Sequence, residues 1–161
     1  MDGVLTDGTF WWGTNGEEWK RFSFRDIMGV SKARKLGIIF ALISGEDTPL
    51  VDRYANKMGI EHVFKGCKDK ATAFHEFAQR INLPVSEIAF VGDDVNDLEV
   101  LKLAGFSAAP ADAHASARKL AKFKCKFKGG NGAVREFLDH ITKALSNEPQ
   151  SKYTRNLSAK A

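Results

Sequence analysis

A short apolar run that ends in a cluster of acids constrains the fold of this chain more than any other stretch. Residues 88–91 read Ile-Ala-Phe-Val and stop at Gly92, and residues 93–97, Asp-Asp-Val-Asn-Asp, follow at once. Apolar residues then resume at helical spacing, so the pattern predicts a buried strand with an acidic loop at its carboxyl end. Because like charges repel, the cluster indicates a cation, and hard oxygen ligands favour Mg²⁺ over Zn²⁺. A charged helix N-terminus without metal is the alternative interpretation.

Short strand-like runs alternate with helical segments along most of the chain. This alternation predicts an open α/β fold with a mostly parallel sheet flanked by helices, and such sheets bind ligands at the carboxyl ends of their strands. The predicted strands are residues 38–43, 62–64, 88–91 and 106–109. The predicted helices are residues 25–36, 48–58, 70–81, 98–104, 112–120 and 133–145.

An aromatic β-hairpin is predicted near the start of the chain. Residues 10–12 and 18–24 flank a turn that contains Asn-Gly, a strong hairpin signal. Trp11, Trp12 and Trp19 would leave this hairpin too apolar to face water, so we expect it to pack against another surface, such as a second subunit.

The length of 161 residues suits one domain, which we place at residues 1–145. The polar residues 146–161 are expected to form a mobile tail. No apolar run reaches the ~20 residues that a membrane span needs, and no secretory signal is present, so we expect no membrane contact. Cys67 and Cys125 have no metal-type spacing and indicate reduced thiols in a cytoplasmic protein.

Three of the predicted strand ends carry residues suited to a phosphate group. Ser44-Gly45 offers a hydroxyl and a bare amide, Lys70 offers a cation near a helix start, and Asp93-Asp94 offers metal ligands. Each signal is weak alone, because Ser-Gly is more often a plain turn and a lone lysine is usually a surface residue. Their order on one sheet edge predicts a phosphate site.

A lysine-rich run lies between the last predicted strand and the final helix. The formal net charge is +4, and a basic run of this kind can bind nucleic acid or an anionic substrate. A solvated face is the preferred interpretation, because no aromatic stacking pattern interleaves it beyond Phe123 and Phe127. We therefore expect no nucleic-acid partner. The run consists of Lys119, Lys122, Lys124, Lys126 and Lys128.

The order of these motifs resembles the haloacid dehalogenase superfamily of phosphotransferases. The resemblance covers nearly the whole chain and is closest to its capless branch, which holds the phosphatases of 3-deoxy-manno-octulosonate 8-phosphate and of nine-carbon 2-keto-3-deoxy sugar acid 9-phosphates. Residues 129–136 match the late glycine loop of that branch, and the hairpin after the first motif matches too. The other motifs are Asp2-Gly3-Val4-Leu5-Thr6-Asp7-Gly8, Ile43-Ser44-Gly45, Asp69-Lys70 and Gly92-Asp93-Asp94-Val95-Asn96-Asp97.

The resemblance implies an Mg²⁺-dependent phosphatase that works through an aspartyl phosphate. The family's first motif is Asp-x-Asp after an apolar strand, and Met1 holds its middle position while Asp2 holds its second Asp. The nucleophilic Asp and the first central strand are therefore expected to be missing from the chain as given, and a start placed too far downstream is the favoured explanation. A non-catalytic module of the same fold, serving oligomerisation or sugar-nucleotide biosynthesis, is the alternative.

The resemblance also implies the role of each site residue. Asp2 is the acid/base and offers its backbone carbonyl to Mg²⁺, together with the Asp93 carboxylate. Asp94, Asn96 and Asp97 are expected to serve the metal, its waters or the loop. Ser44, the Gly45 amide and Lys70 are expected to hold the phosphate oxygens.

Two further residues bear on the substrate. Octulosonate phosphatases usually carry Arg after the Ser-Gly motif, whereas this chain carries Glu46, with Lys57 on the same face of the predicted helix. This pair resembles the nine-carbon enzymes, so we expect Glu46 to bind hydroxyls, Lys57 to bind the carboxylate, and a nonulosonate 9-phosphate to be preferred. A helix with an N-terminal Glu and a C-terminal Lys needs no such role. The resemblance further implies a homotetramer.

Overall fold

Short strands and helices alternate through the computed structural model, which describes residues 1–147. The alternation confirms the predicted α/β class. The strands are β1 Trp11–Trp12, β2 Glu18–Trp19, β3 Ala41–Ile43, β4 His62–Phe64, β5 Ala89–Val91, β6 Phe106–Ala109 and β7 Phe123–Lys124. The helices are α1 Phe24–Lys35, α2 Pro49–Met58, α3 Lys70–Arg80, α4 Leu98–Leu103, α5 Ala115–Leu120 and α6 Ala133–Asn147.

Local capping fixes where the first three helices begin. The side chains of Ser23, Thr48 and Asp69 each accept a hydrogen bond from the amide two residues further on, at 3.2, 3.3 and 3.0 Å. Each bond satisfies an amide that has no partner within its own helix. Gly59 ends α2 in the left-handed conformation that glycine adopts without strain.

The parallel strands form two separate sheets. Strand β3 pairs with β4, and β5 pairs with β6, which in turn pairs with β7. Within residues 1–147, β3 and β5 do not pair with each other. Strands inside a parallel sheet are normally buried on both faces, whereas Ala89 of β5 is exposed. An open slot therefore separates the two sheets.

Helices cover both sheets and supply most of the apolar core. Val30, Val51 and Leu138 are buried in the cluster that joins α1, α2 and α6 to β3. Phe74 and Val100 are buried in a second cluster, which joins α3 and α4 to the strands beside them. Burying each such side chain contributes about 1.5–3 kcal/mol, so these layers hold the strand ends in place.

Two elements begin three residues later than predicted, β3 at Ala41 and α5 at Ala115. The structure also differs from the sequence expectations in the hairpin, in the lysine-rich run and at the last helix. The second hairpin strand is shorter than residues 18–24, because Phe24 already begins α1. Strand β7 was not predicted and lies inside the lysine-rich run. Helix α6 extends to Asn147, two residues into the expected tail, and residues 148–161 lie outside the described residues.

Strand β7 gives part of the lysine-rich run a structural task. Phe123 and Cys125 alternate with lysines, and Cys125 is buried in the last core cluster. Lys122 Nζ donates to the carbonyl oxygens of Ala104 and Gly105, at 3.1 and 2.7 Å. The lysine run is therefore not simply a solvated face.

A search of the helices in the described part of the chain found none that is both long and apolar enough to span a membrane.

Candidate active site

A cavity of about 260 Å³ opens at the carboxyl ends of β3 and β5. It is the place where the sequence motifs meet, and it contains nearly all of the predicted site residues. The lining residues are Met1, Asp2, Gly3, Gly8, Ser44, Gly45, Glu46, Lys70, Asp93, Asp94 and Asn96.

The late glycine loop holds the floor of this cavity by close backbone contact. The Gly130 amide donates to the Val4 carbonyl at 2.9 Å. A Cβ atom on Gly129 would lie 1.9 Å from the Gly3 carbonyl oxygen, so no other residue fits there without moving the backbone. The loop thereby fixes the turn that carries Asp2.

Lys70 and Asp97 form a buried ion pair behind the cavity. Lys70 Nζ lies 2.6 Å from Asp97 Oδ1, and the two side chains are 9% and 3% exposed. The other oxygen of Asp97 accepts hydrogen bonds from the amides of Asp93 and Asp94, at 2.9 and 3.4 Å. Both oxygens of Asp97 are thus occupied by protein donors, so this carboxylate orders the acidic loop and orients Lys70.

Asp93 is the carboxylate that fits a cation. It is half-buried, and burial together with the charge of Asp97 raises its pKa to about 6. A Cβ atom on Gly3 would collide with its Oδ2, which places the carboxylate against the backbone beside Asp2. A hard cation at this carboxylate would stabilise its charged form.

The side chains of the predicted metal residues Asp2, Asp93, Asp94 and Asp97 do not converge on one point. Within residues 1–147, no group of three or more histidine, cysteine, aspartate or glutamate side chains is arranged to hold a metal. Asp94 Oδ1 accepts from the Val95 amide at 2.7 Å and caps the turn that follows, and Asn96 is exposed at the rim. Of the expected roles for Asp94 and Asp97, at the metal, at its waters or in the loop, the hydrogen bonds seen here are all within the loop.

Ser44, Gly45 and Glu46 form a turn opposite the acidic loop. Ser44 is 1% exposed, and its Oγ accepts from the Glu46 amide at 3.2 Å. The Gly45 amide donates to no group among the described residues, and Gly45 lines the cavity. The exposed Glu46 stands at the rim of the cavity.

Lys57 does not line the cavity, contrary to the expectation that it shares the site with Glu46. It lies in the last turn of α2, whereas Glu46 precedes the first. A helix of ten residues is about 15 Å long, so the two side chains stand at opposite ends of α2. Sharing a helix face does not bring residues eleven apart into one site.

Lys20 is a site residue that the sequence interpretation missed. Its Nζ, on a side chain only 4% exposed, lies 3.0 Å from Asp2 Oδ1 and 3.3 Å from Glu18 Oε1. Burial opposes the charged ammonium, but the two carboxylates outweigh this effect and raise the pKa of Lys20. The available signal was the sequence Glu18-Trp19-Lys20, which begins in β2, because extended backbone places the first and third side chains on one face.

Comparison with known sequences identifies similar proteins along most of the chain. The model of the haloacid dehalogenase-like hydrolase family matches residues 26–105. The 3-deoxy-D-manno-octulosonate 8-phosphate phosphatase of Yersinia pestis is 38% identical over 141 residues, which cover 88% of this chain and 75% of that protein. The enzyme of the same name from Escherichia coli K12 is 36% identical over 152 residues, covering 94% and 81%.

Solved structures show the same likeness in three dimensions. The 3-deoxy-D-manno-octulosonate 8-phosphate phosphatase of Moraxella catarrhalis, in complex with a magnesium ion, a phosphate ion and a KDO molecule, superposes with a TM-score of 0.87 at 35% identity. The superposition covers 89% of this chain and 83% of that one. The Yersinia pestis phosphatase gives a TM-score of 0.88 at 38% identity, covering 91% and 79%.

Proposed function

The chain belongs to the haloacid dehalogenase-like hydrolases as a phosphoric monoester hydrolase, and we propose that it cleaves the phosphate ester of a 2-keto-3-deoxy sugar acid. The observation that carries the proposal is the cavity itself, which brings Asp2, Ser44, Lys70 and Asp93 together from four separate segments. A lysine and a bare amide beside a carboxylate that fits a cation are the groups that a phosphate dianion requires.

Each side chain has one task in this proposal. As an attacking carboxylate bonds to phosphorus and the bond from phosphorus to the sugar oxygen breaks, the Asp2 carboxyl gives its proton to that leaving oxygen. Asp2 then takes a proton from the water that attacks the phosphorylated carboxylate and releases phosphate. The Gly45 amide, the Ser44 hydroxyl and Lys70 bind the phosphate oxygens, where negative charge develops. Asp97 keeps Lys70 oriented through the 2.6 Å ion pair.

The family uses Mg²⁺, and the Asp93 carboxylate and the Asp2 carbonyl would hold it. When bound, Mg²⁺ supplies positive charge to the phosphate oxygens and to the attacking carboxylate. Asp94 and Asn96 line the cavity and would serve the water ligands of the bound ion.

We further propose that the attacking Asp stands directly before Met1, at the end of a strand that fills the slot between β3 and β5. Two observations support this. The turn that begins with Met1 lines the same cavity as Ser44 and Asp93, which follow those two strands. The two strands also lack a partner on their facing edges within the described residues, and unpaired strand edges are costly.

Two substrates fall within the proposed class. The names of the similar proteins favour octulosonate 8-phosphate. Glu46 at the cavity rim favours a nonulosonate 9-phosphate, because a carboxylate accepts hydrogen bonds from hydroxyls and repels another carboxylate. Since Lys57 lies away from the cavity, the case for the nine-carbon substrate now depends on Glu46 alone.

The deciding experiment measures kcat/KM for both sugar acid phosphates with Mg²⁺, using the protein extended upstream by the strand and Asp. Glu46→Arg should shift the ratio at least about tenfold towards octulosonate 8-phosphate, which corresponds to about 1.4 kcal/mol. An exposed control, Glu61→Arg, should leave the ratio unchanged. Hydrolysis of neither ester would overturn the proposed substrate class, and an unmoved ratio would remove Glu46 from specificity.

The non-catalytic alternative makes the opposite prediction for the upstream segment. A residue other than Asp before Met1 would support a module kept for assembly, and an Asp there would support the enzyme.

We also propose a homotetramer, based on the exposed tryptophans of the hairpin. A cytoplasmic location is proposed from the free thiols Cys67 and Cys125.

A further inference from the structure

One buried ammonium group connects the aromatic hairpin to the proposed acid/base. Lys20 follows β2, and its Nζ lies between Asp2 Oδ1 and Glu18 Oε1, at 3.0 and 3.3 Å. Neither carboxylate oxygen receives a hydrogen bond of good geometry from the described residues, so the contact is an ion pair. The Lys20 side chain is 4% exposed, whereas the carboxylates are 32% and 30% exposed.

Burial of the Lys20 ammonium is unfavourable unless nearby groups of opposite charge compensate it. Removing an ammonium from water costs several kcal/mol unless charges of opposite sign compensate it. Two carboxylates from different segments provide that compensation, one on the hairpin and one on the turn before it. The position of Asp2 is thereby tied to the position of β2.

We propose that Lys20 is a positioning residue for the acid–base chemistry of Asp2. Lys20 holds Oδ1 of a residue that lines the cavity, and the described residues supply no hydrogen-bond partner for Oδ2, which leaves Oδ2 available to the leaving oxygen. The proton passes from the Asp2 carboxyl to the oxygen that departs from phosphorus, and Lys20 itself neither gains nor loses one. This inference rests on the proposed phosphatase mechanism and extends it to the hairpin.

A general acid matters in proportion to how poor the leaving group is. An alkoxide must be protonated as it departs, whereas p-nitrophenolate departs readily without a proton. Displacing Asp2 should therefore slow the hydrolysis of alkyl phosphates far more than that of p-nitrophenyl phosphate. A purely structural loss would slow both equally.

The test compares kcat/KM for glycerol 2-phosphate and p-nitrophenyl phosphate in the protein extended upstream as above, because kcat/KM reports the step in which the leaving group departs, whereas kcat also contains the later attack of water, which is the same for both esters. Lys20→Met should lose about 100-fold on the alkyl ester, within the range for general acids, and only about threefold on the aryl ester. Lys20→Arg should recover most of the alkyl activity, because a guanidinium also pairs with both carboxylates. Lys65→Met, at an exposed ion pair with Asp47 and Asp52, controls for loss of a positive charge.

A double variant separates positioning from simple charge neutralisation. Lys20→Met leaves the Glu18 and Asp2 carboxylates without the cation between them, and Glu18→Gln removes that repulsion. If Lys20 positions Asp2, the double variant stays slow on the alkyl ester. Full recovery in the double variant, or an equal loss on both esters in Lys20→Met, would overturn the inference.

Neither glycerol 2-phosphate nor p-nitrophenyl phosphate is a sugar acid phosphate, so the test of Lys20 does not depend on the proposed substrate class. A parent protein that cleaves both generic esters but neither sugar acid phosphate would overturn the substrate class, and the leaving-group comparison would still decide on Lys20. Thermal melting of each variant shows whether the fold survives the substitution.

Discussion

Asp93 and Asp97 lie four residues apart and acquire different tasks from their surroundings. Asp97 is buried with Lys70 and two amides, so its charge is fully compensated. Asp93 faces the cavity with its pKa raised to about 6, because burial and the neighbouring carboxylate both disfavour its charge. The sequence shows two equivalent acids, and only the three-dimensional arrangement distinguishes the structural one from the one suited to a metal.

Asp93→Asn should weaken Mg²⁺ binding, because an amide oxygen carries no full charge for a hard cation. We expect the Mg²⁺ concentration for half-maximal hydrolysis of p-nitrophenyl phosphate to rise more than about tenfold, since even residues behind metal ligands are worth about 10- to 100-fold in affinity. Asp139→Asn, at an exposed ion pair with Arg135, is the matched control. An unchanged Mg²⁺ titration would show that Asp93 is not a ligand.

Asp26 is a buried carboxylate on α1 that caps the start of a distant helix, α6. It is 1% exposed on α1, and its oxygens accept from the amides of Gly132 and Arg135, at 3.0 and 2.8 Å, where α6 begins. Burial raises its pKa despite these hydrogen bonds. The nearby groups that titrate or carry charge are the Tyr54 hydroxyl from α2, the Cys125 thiol and Arg135 from α6. Burial, together with the charge of Asp26, raises the pKa of Tyr54.

The raised pKa of Asp26 sets a sign for the pH dependence of stability. The folded protein holds this proton more tightly than the unfolded chain, so the contribution is complete below the ordinary value of 3.8 and is lost as pH rises through the raised pKa. An Asn side chain does not titrate, so Asp26→Asn should remove the fall in the free energy of unfolding that Asp26 causes as pH rises. Asp26→Ala should cost about 2 kcal/mol, because buried amides lose their acceptor. Denaturant unfolding across pH measures both, and parallel curves for parent and Asp26→Asn would contradict the assignment.

At the scale of elements, the hairpin of β1 and β2 is the most exposed apolar feature. Trp11, Trp12 and Trp19 are 52%, 74% and 56% exposed in the single chain. Lys20 at the end of this hairpin contacts Asp2, so a partner that covers the tryptophans would also fix the acid/base. Assembly and catalysis would then depend on the same element.

Trp12→Ser should therefore dissociate the oligomer. We expect sedimentation at micromolar concentration to show a tetramer for the parent and smaller species for the variant, because the largest exposed aromatic surface is lost. Leu36→Ser is the control, since Leu36 is also exposed, at 64%, but lies at the end of α1. A monomeric parent protein would rule out the proposed tetramer.

Local signals account for most of the elements that the sequence predicted correctly. Ser23, Thr48 and Asp69 cap helices through bonds that span two residues, so their effect can be read from adjacent positions. Strand β7 was missed because its lysines concealed the alternation with Phe123 and Cys125, which only β6 and α6 bury.

The site was predicted less completely than the fold, because its contacts join distant segments. Sequence order indicated which strand ends would meet, and the cavity brings those ends together. The pairing of Lys20 with Asp2 spans two segments, and the separation of Lys57 from Glu46 follows from the length of α2. Neither fact is encoded in a local motif.

At the scale of the whole molecule, the slot between β3 and β5 separates the two parallel sheets. One sheet carries Ser44 and the other carries Asp93, and the turn at residues 1–3 lies between them. The two halves of the cavity are therefore connected by side chains and by this turn, without strand pairing among the described residues. A strand in the slot would join both halves and deliver an attacking group to the cavity.

The chain that begins at Met1 should not hydrolyse p-nitrophenyl phosphate above a metal-free blank, whereas the upstream-extended protein should do so with Mg²⁺. The extended protein should also melt higher, by about 2 °C or more, because pairing both strand edges stabilises a domain of this size by more than about 1 kcal/mol. An extended protein with the attacking Asp changed to Asn is the control, which should retain the higher melting temperature but not the activity. Turnover by the unextended chain would contradict the proposal.

The cap that Asp26 provides for α6 also bears on how the protein is made. Its two amide partners lie 106 and 109 residues further along the chain, so a ribosome must synthesise nearly all of the described sequence before this carboxylate finds its donors. Until then, docking α1 would bury a charged group without partners, which is costly. We therefore expect the first helix to stay undocked, and open to proteases and chaperones, until α6 has been synthesised.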